Sequence, residues 1–144
     1  MYRRLVELTV NRTSFAYVVV RADGIGESGV LRALKILRPE EIGQRSATEW
    51  PGTRLLSAEP AMLVQYRCST SLASLLFGLT TGLYDWAHPR LPEDLGFLRA
   101  DESVWLASIA HERDAFMEMS DDEWQELADQ HTDIAGLLKG PMPG

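Results

Sequence analysis

Six apolar residues, Leu72, Leu75, Leu76, Leu79, Leu83 and Trp86, fall at i, i+3, i+4, i+7, i+11 and i+14. That spacing draws one stripe down an α-helix, and such a stripe must be covered by a second layer. Ser69, Thr70 and Ser71 offer N-caps ahead of it, and His88-Pro89 stops it. The pattern predicts a helix over about residues 72–87. Gly78 and Gly82, four apart within that span, predict close packing against whatever covers it.

The covering layer reads as β. Phe15 to Arg21 and Ala61 to Arg67 are short runs rich in β-branched and aromatic residues, as strands are. Upstream, Val6, Leu8 and Val10 alternate along one face, so residues 3–21 predict a hairpin turned at Asn11 to Ser14. Val30 to Arg38 fits either a strand or a short helix capped by Ser28, and Pro39 ends it in both cases. Residues 39–60 read as an irregular connection around Trp50-Pro51-Gly52. Beyond Pro92, residues 95–99 and 104–110 predict a second hairpin, with 114–119 as a third strand. Ser120-Asp121-Asp122-Glu123 is a capping box that opens a short C-terminal helix over about residues 121–131. Ile134, Leu137 and Leu138 add a last turn before a tail at Gly140-Pro141. Strands, helix, strands, helix is an α+β order: residues 1–144 as a single domain, its mostly antiparallel sheet packed on the long helix and the short one.

With 144 residues, 45% of them hydrophobic, such a domain needs no disulfide or metal staple. No apolar run approaches the roughly 20 residues of a membrane span. The N-terminus is charged where a signal peptide would be apolar, and a single cysteine, Cys68, fits a reducing cytoplasm. Charge is unevenly spread. Residues 1–72 hold ten basic and seven acidic side chains, and residues 73–144 hold four basic and fourteen acidic. An acidic half repels nucleic-acid phosphates and anionic headgroups and draws a basic partner inward.

Several motifs touch on chemistry. Gly24-Ile25-Gly26-Glu27-Ser28-Gly29 has the glycine spacing of a dinucleotide loop. Arg21-Ala22-Asp23 stand between the β-branched run and the first glycine, no second βαβ unit follows, and Asp23 and Glu27 would repel a pyrophosphate, so it reads as a flexible loop. His111-Glu112 opens like a zinc-protease helix, but Ala115 stands where the second ligand belongs. No cofactor or metal set is therefore expected. His88, His111 and Cys68 make up the catalytic set of an enzyme or ligand-binding reading, in which a helix start beside Cys68 favours the thiolate.

Tyr84 to Asp94 crowds two aromatics, an arginine and three acids between stiffening prolines, the makings of a protein-binding hot spot. The expectation is an acidic, cytoplasmic protein-binding module of the immunity or antitoxin type, covering the basic cleft of a toxin-like partner. Its contacts are Asp85, Glu93, Asp94, Asp101 and Glu102, with Trp86 and Trp105 as anchors. A subunit of a larger assembly and a homodimer are further expectations.

Overall fold

The structure, a computed structural model, describes residues 2–138, so the tail at Gly140-Pro141 lies outside the described residues. Helix α1 (Tyr2–Val10) leads into strand β1 (Phe15–Val20), then α2 (Ser28–Leu37) and β2 (Glu41–Ala47). A two-residue ribbon, β3 (Glu49–Trp50) with β4 (Thr53–Arg54), precedes β5 (Ala61–Arg67) and α3 (Thr70–Leu79). The chain then runs through β6 (Glu93–Leu98), β7 (Val104–Ile109) and β8 (Asp114–Met117) to α4 (Asp121–Gln130) and α5 (Thr132–Leu138). Six strands form one sheet in the order β2-β5-β1-β6-β7-β8, every neighbouring pair antiparallel. The α+β class and the mainly antiparallel sheet read from the sequence are those of the structure.

Both faces of the central strand β1 are buried, so its side chains divide between two cores. Ala16 and Val18 join Tyr2, Val6, Leu37, Leu72, Leu76 and Trp86 beneath the helices. Tyr17 and Val19 face the other way and pack with Ala47, Trp50, Ala61, Leu63 and Leu98. There the β3–β4 ribbon lays Trp50 on the sheet as a lid. A third cluster holds Leu8 against Leu127, Ile134 and Ala135 of α4 and α5.

Three expectations are corrected here. Residues 3–10 are helix α1 and not the first arm of a hairpin. Tyr2, Val6 and Val10 also share a helical face, four residues apart, and that face packs on the sheet while Leu8 meets α4 and α5. Six residues of alternation do not separate the two periods when both faces are covered. The long helix is shorter than its stripe: Ser69 caps it through a 3.0 Å bond from the Leu72 N–H, and it ends at Leu79. Thr80-Thr81-Gly82, two β-branched residues and a glycine, are poor helix formers, and a one-turn 3-10 helix at Leu83–Asp85 carries the chain on to Trp86. Trp86 still enters the same core. A Cβ at Gly78 would meet nothing within 4 Å, and one at Gly82 would meet the Asp85 carboxylate, so neither glycine serves close packing against the sheet. The connection over 39–60 contains edge strand β2, whose polar, largely exposed residues hide it from a hydrophobic pattern.

Residues 28–37, ambiguous in the sequence, are helical, with Glu27 and not Ser28 at the N-cap. The capping box holds as read: Ser120 Oγ accepts from the Glu123 N–H, and Glu123 accepts from the Ser120 N–H.

Candidate functional site

The glycine loop after β1 seats the strap that follows α3. A Cβ at Gly24 would fall 2.0–2.5 Å from the imidazole of His88. A Cβ at Gly29 would lie 2.4 Å from the carbonyl oxygen of Arg90. Both glycines are there for close approach, so residues 88–90 lie directly on the loop and on the start of α2. The space a pyrophosphate would take is filled by protein, and the antiparallel sheet has no βαβ unit to present it.

Beneath this contact lies a chain of polar groups at one end of the sheet. Asp94, 0% exposed and at φ +55°, accepts a 3.0 Å bond from the Trp50 indole N–H. It accepts another 3.0 Å bond from the Ala110 backbone N–H. The Arg21 guanidinium lies 5.4 Å from the centroid of the Trp50 ring. Its Nε stands 2.6 Å from Glu93 Oε2, an ion pair without the alignment of a hydrogen bond. The His88 side chain is 10% exposed, with Nδ1 3.8 Å from Glu93 and 3.7 Å from Asp23, beyond hydrogen-bond reach. Neither ring nitrogen has a hydrogen-bond partner among the described residues. Burial, with the charge of Asp94 second, pushes the Tyr17 hydroxyl well above its ordinary range.

Outside that chain, Arg32 of α2 and residues within 79–91 line a cleft of about 370 Å³. Arg32, Arg90, His88, Thr80, Tyr84 and Asp85 supply its polar lining. Thr80 Oγ1 donates to Asp85 at 2.5 Å, and Arg113 lies over the Tyr84 ring at 5.5 Å.

The opposite end of the sheet is organised by Arg99. Its guanidinium meets Glu123 through Nε at 3.3 Å and a terminal nitrogen at 2.9 Å, donates to the carbonyls of Val104 and Glu118, and stacks 5.3 Å from the centroid of Trp105. One side chain thus ties the β6–β7 turn, the end of β8 and the start of α4. Burial opposes ionisation of Glu123, yet the Ser120 N–H and Arg99 hold its carboxyl below the usual range. Asp101 is lowered as well, by bonds from the Ser103 hydroxyl and N–H. Around the clamp lie Asp101, Glu102, Glu118, Asp121 and Asp122, all exposed. Beside it a hollow of about 290 Å³ is lined by Asn11, Arg12, Trp105, Glu123 and Glu126. The Trp105 indole N–H is buried and has no hydrogen-bond partner among the described residues.

Arg99→Ala is expected to cost about 2–3 kcal/mol, because two carbonyls lose a charged donor; the half-exposed edge of the pair adds little. The Glu123 carboxyl should move back up towards its unfolded value. In the wild type the folded carboxyl titrates below the unfolded one. Its contribution is therefore complete above the ordinary glutamate value of about 4.3 and is lost as pH falls through the lowered one. Urea melts at several pH values, with an NMR titration of Glu123, check both halves.

The residues singled out from the sequence do not form one site. Cys68 bonds to Thr13 at 3.2 Å at the end of the sheet where β1 begins, and its thiol is pushed up to about 11 by burial, against a thiolate role. His88 sits at the other end of β1, which at roughly 3.4 Å per residue is about 20 Å away. His111 is exposed, its Nε2 3.9 Å from the neighbouring Glu112 carboxylate. The catalytic set of His88, His111 and Cys68 is not assembled. Of the partner contacts, Trp86 (0% exposed) and Trp105 (2%) are core residues, Asp94 is buried and Glu93 is paired. Asp85, Asp101 and Glu102 reach solvent, with Asp85 at the cleft end and the other two at the Arg99 end. The sequence reading missed Arg32 and Arg99. Arg32 lies in a segment whose type was open, and Arg99 shows its role only through partners brought in by folding.

No group of three His, Cys, Asp or Glu side chains among the described residues is placed to hold a metal ion. Among those residues no helix is long and apolar enough to cross a membrane. Compared with known protein families, with curated proteins and with solved structures, the chain finds no match.

Proposed function

We propose that this chain is a protein-binding module of the immunity or antitoxin type, which covers the basic active cleft of a toxin-like protein with its Arg99 end. The carrying observation is the ring of exposed acids there, Asp101, Glu102, Glu118, Asp121 and Asp122, around an arginine already paired to Glu123. Their charge is left uncancelled by that clamp and is held on a rigid scaffold, the arrangement that speeds encounter with a basic surface and sets its register. The Trp105 ring lines the adjoining hollow and gives a side chain inserted from the partner an apolar floor. Trp105 thereby keeps a place in the reading, as the floor of a pocket and not as a protruding anchor.

Reversing Glu102 and Glu118 to lysine moves the formal net charge from −7 to −3 and touches no side-chain bond of the clamp. Folding stability should change by less than about 0.5 kcal/mol, the usual range for surface positions. Association with the basic partner captured by the wild-type chain should slow, and the difference should shrink with salt, since the Debye length is about 10 Å at 0.1 M. Stopped-flow binding of both versions across a salt series reads this out. Capture of no protein above the control, a partner of acidic character, or rates indifferent to salt and reversal would each overturn the reading.

A further inference from the structure

We infer that the cleft between α2 and residues 79–91 is a binding site for a small phosphate monoester. It lies at the far end of the sheet from the acidic ring and rests on separate observations.

Two arginines reach it from different elements, Arg32 from α2 and Arg90 from the strap, and neither pairs with a carboxylate among the described residues. Two unpaired guanidinium groups facing one hollow repel each other unless an anion joins them, and their planar forks suit phosphate oxygens. His88 supplies the second observation. Its imidazole lies nine-tenths buried at the cleft wall with neither nitrogen hydrogen-bonded among the described residues, although buried polar atoms are nearly always satisfied. The ring forms part of the cleft wall, and turning its nitrogens, now covered by protein, toward the cleft would let a ligand oxygen be the partner they lack. Thr80 and Tyr84 bring hydroxyls to the same lining.

Charge sets the class. Arg32 and Arg90 face the single acid of the lining, Asp85, which already accepts from Thr80. A dianionic headgroup matches two cations better than a monocarboxylate does. Size points to an ester and not the free ion: about 370 Å³ falls within the usual 300–1,000 Å³ range of small-molecule pockets. Leu79, Ala87 and Leu91 give it an apolar wall for the remainder of the molecule. The strap packs directly on Gly24 and Gly29, so the cleft is built before the ligand arrives.

The test is an amide-shift titration of the full chain with phenyl phosphate, inorganic phosphate and benzoate at constant ionic strength. Phenyl phosphate should saturate the amides of residues 28–32 and 87–91 with a dissociation constant at or below about 1 mM. Inorganic phosphate and benzoate should each bind at least about fivefold more weakly, the first lacking the apolar part and the second the second charge. Arg32→Gln and Arg90→Gln should each weaken phenyl phosphate about tenfold, the worth of a charge-assisted bond. Arg45→Gln, on the exposed edge strand, should leave the constant unchanged, and melting curves show that all three variants fold. No saturable shift at about 10 mM, a weakness far beyond that of real small-ligand sites, overturns the site. Equal loss in Arg45→Gln overturns it in favour of general charge attraction. Benzoate binding as tightly as phenyl phosphate overturns the dianion, and inorganic phosphate binding as tightly overturns the ester.

Discussion

Asp94→Lys is expected to cost about 3–5 kcal/mol of folding stability, the range for leaving a buried charge uncompensated. Typical domains hold only about 5–15 kcal/mol in all. Asp94 is wholly buried, and its two oxygens serve two donors, the Trp50 indole and the Ala110 N–H. Lysine would remove both acceptors, bury an ammonium and leave two orphaned N–H groups. It would also loosen the ribbon that lays Trp50 over Tyr17 and Val19. Asp94→Asn is the informative partner variant. It keeps an acceptor for Ala110 and tolerates the left-handed backbone at φ +55°. It sets an NH₂ against the Trp50 N–H, so a smaller loss of about 1–3 kcal/mol is expected. Urea unfolding followed by tryptophan fluorescence and circular dichroism measures both. A lysine variant within about 0.5 kcal/mol of wild type would behave as a surface substitution, and would show that this carboxylate faces solvent and is free to meet a partner.

Trp86→Ala should cost a similar amount, about 3–5 kcal/mol, as large aromatic truncations in cores do. Trp86 is completely buried between α1 and the sheet, and its indole N–H donates to the Tyr2 hydroxyl at 3.1 Å. That hydroxyl is pushed up to about 12, chiefly by burial, and would lose its donor. Trp86→Phe keeps most of the volume and should lose only about 1 kcal/mol, one net hydrogen bond. The order Ala far below Phe, with Phe just below wild type, is the signature of a core residue tied by one polar bond. An alanine variant as stable as wild type would return Trp86 to the surface, where the hot-spot reading of residues 84–94 placed it.

That reading shows where sequence reasoning stopped. Trp86, Glu93 and Asp94 crowd a proline-rich stretch between two elements, and local composition treats such a stretch as an exposed loop. Its burial comes from Tyr2, Trp50 and Ala110, none of them a near neighbour in the chain. Arg99 adds distant partners to near ones: its five side-chain bonds go to four residues, Ser103 and Val104 close by and Glu118 and Glu123 19 and 24 positions on.

Strands β1 and β5, the second hairpin with its third strand, and the α4 capping box were legible in the sequence by itself. Their causes are local: β-branched runs, turn residues, and a side chain bonding a backbone N–H three positions away. The acidic bias of the second half was legible too, because composition needs no coordinates. Tertiary structure alone decided that residues 2–10 are a helix, that the stripe from Leu72 breaks after Leu79 and still delivers Trp86 to the core, and which acids stay exposed. A nine-residue segment with apolar residues on more than one face takes the conformation its neighbours can bury. A carboxylate stays in water unless distant donors converge on it, as Trp50 and Ala110 do on Asp94.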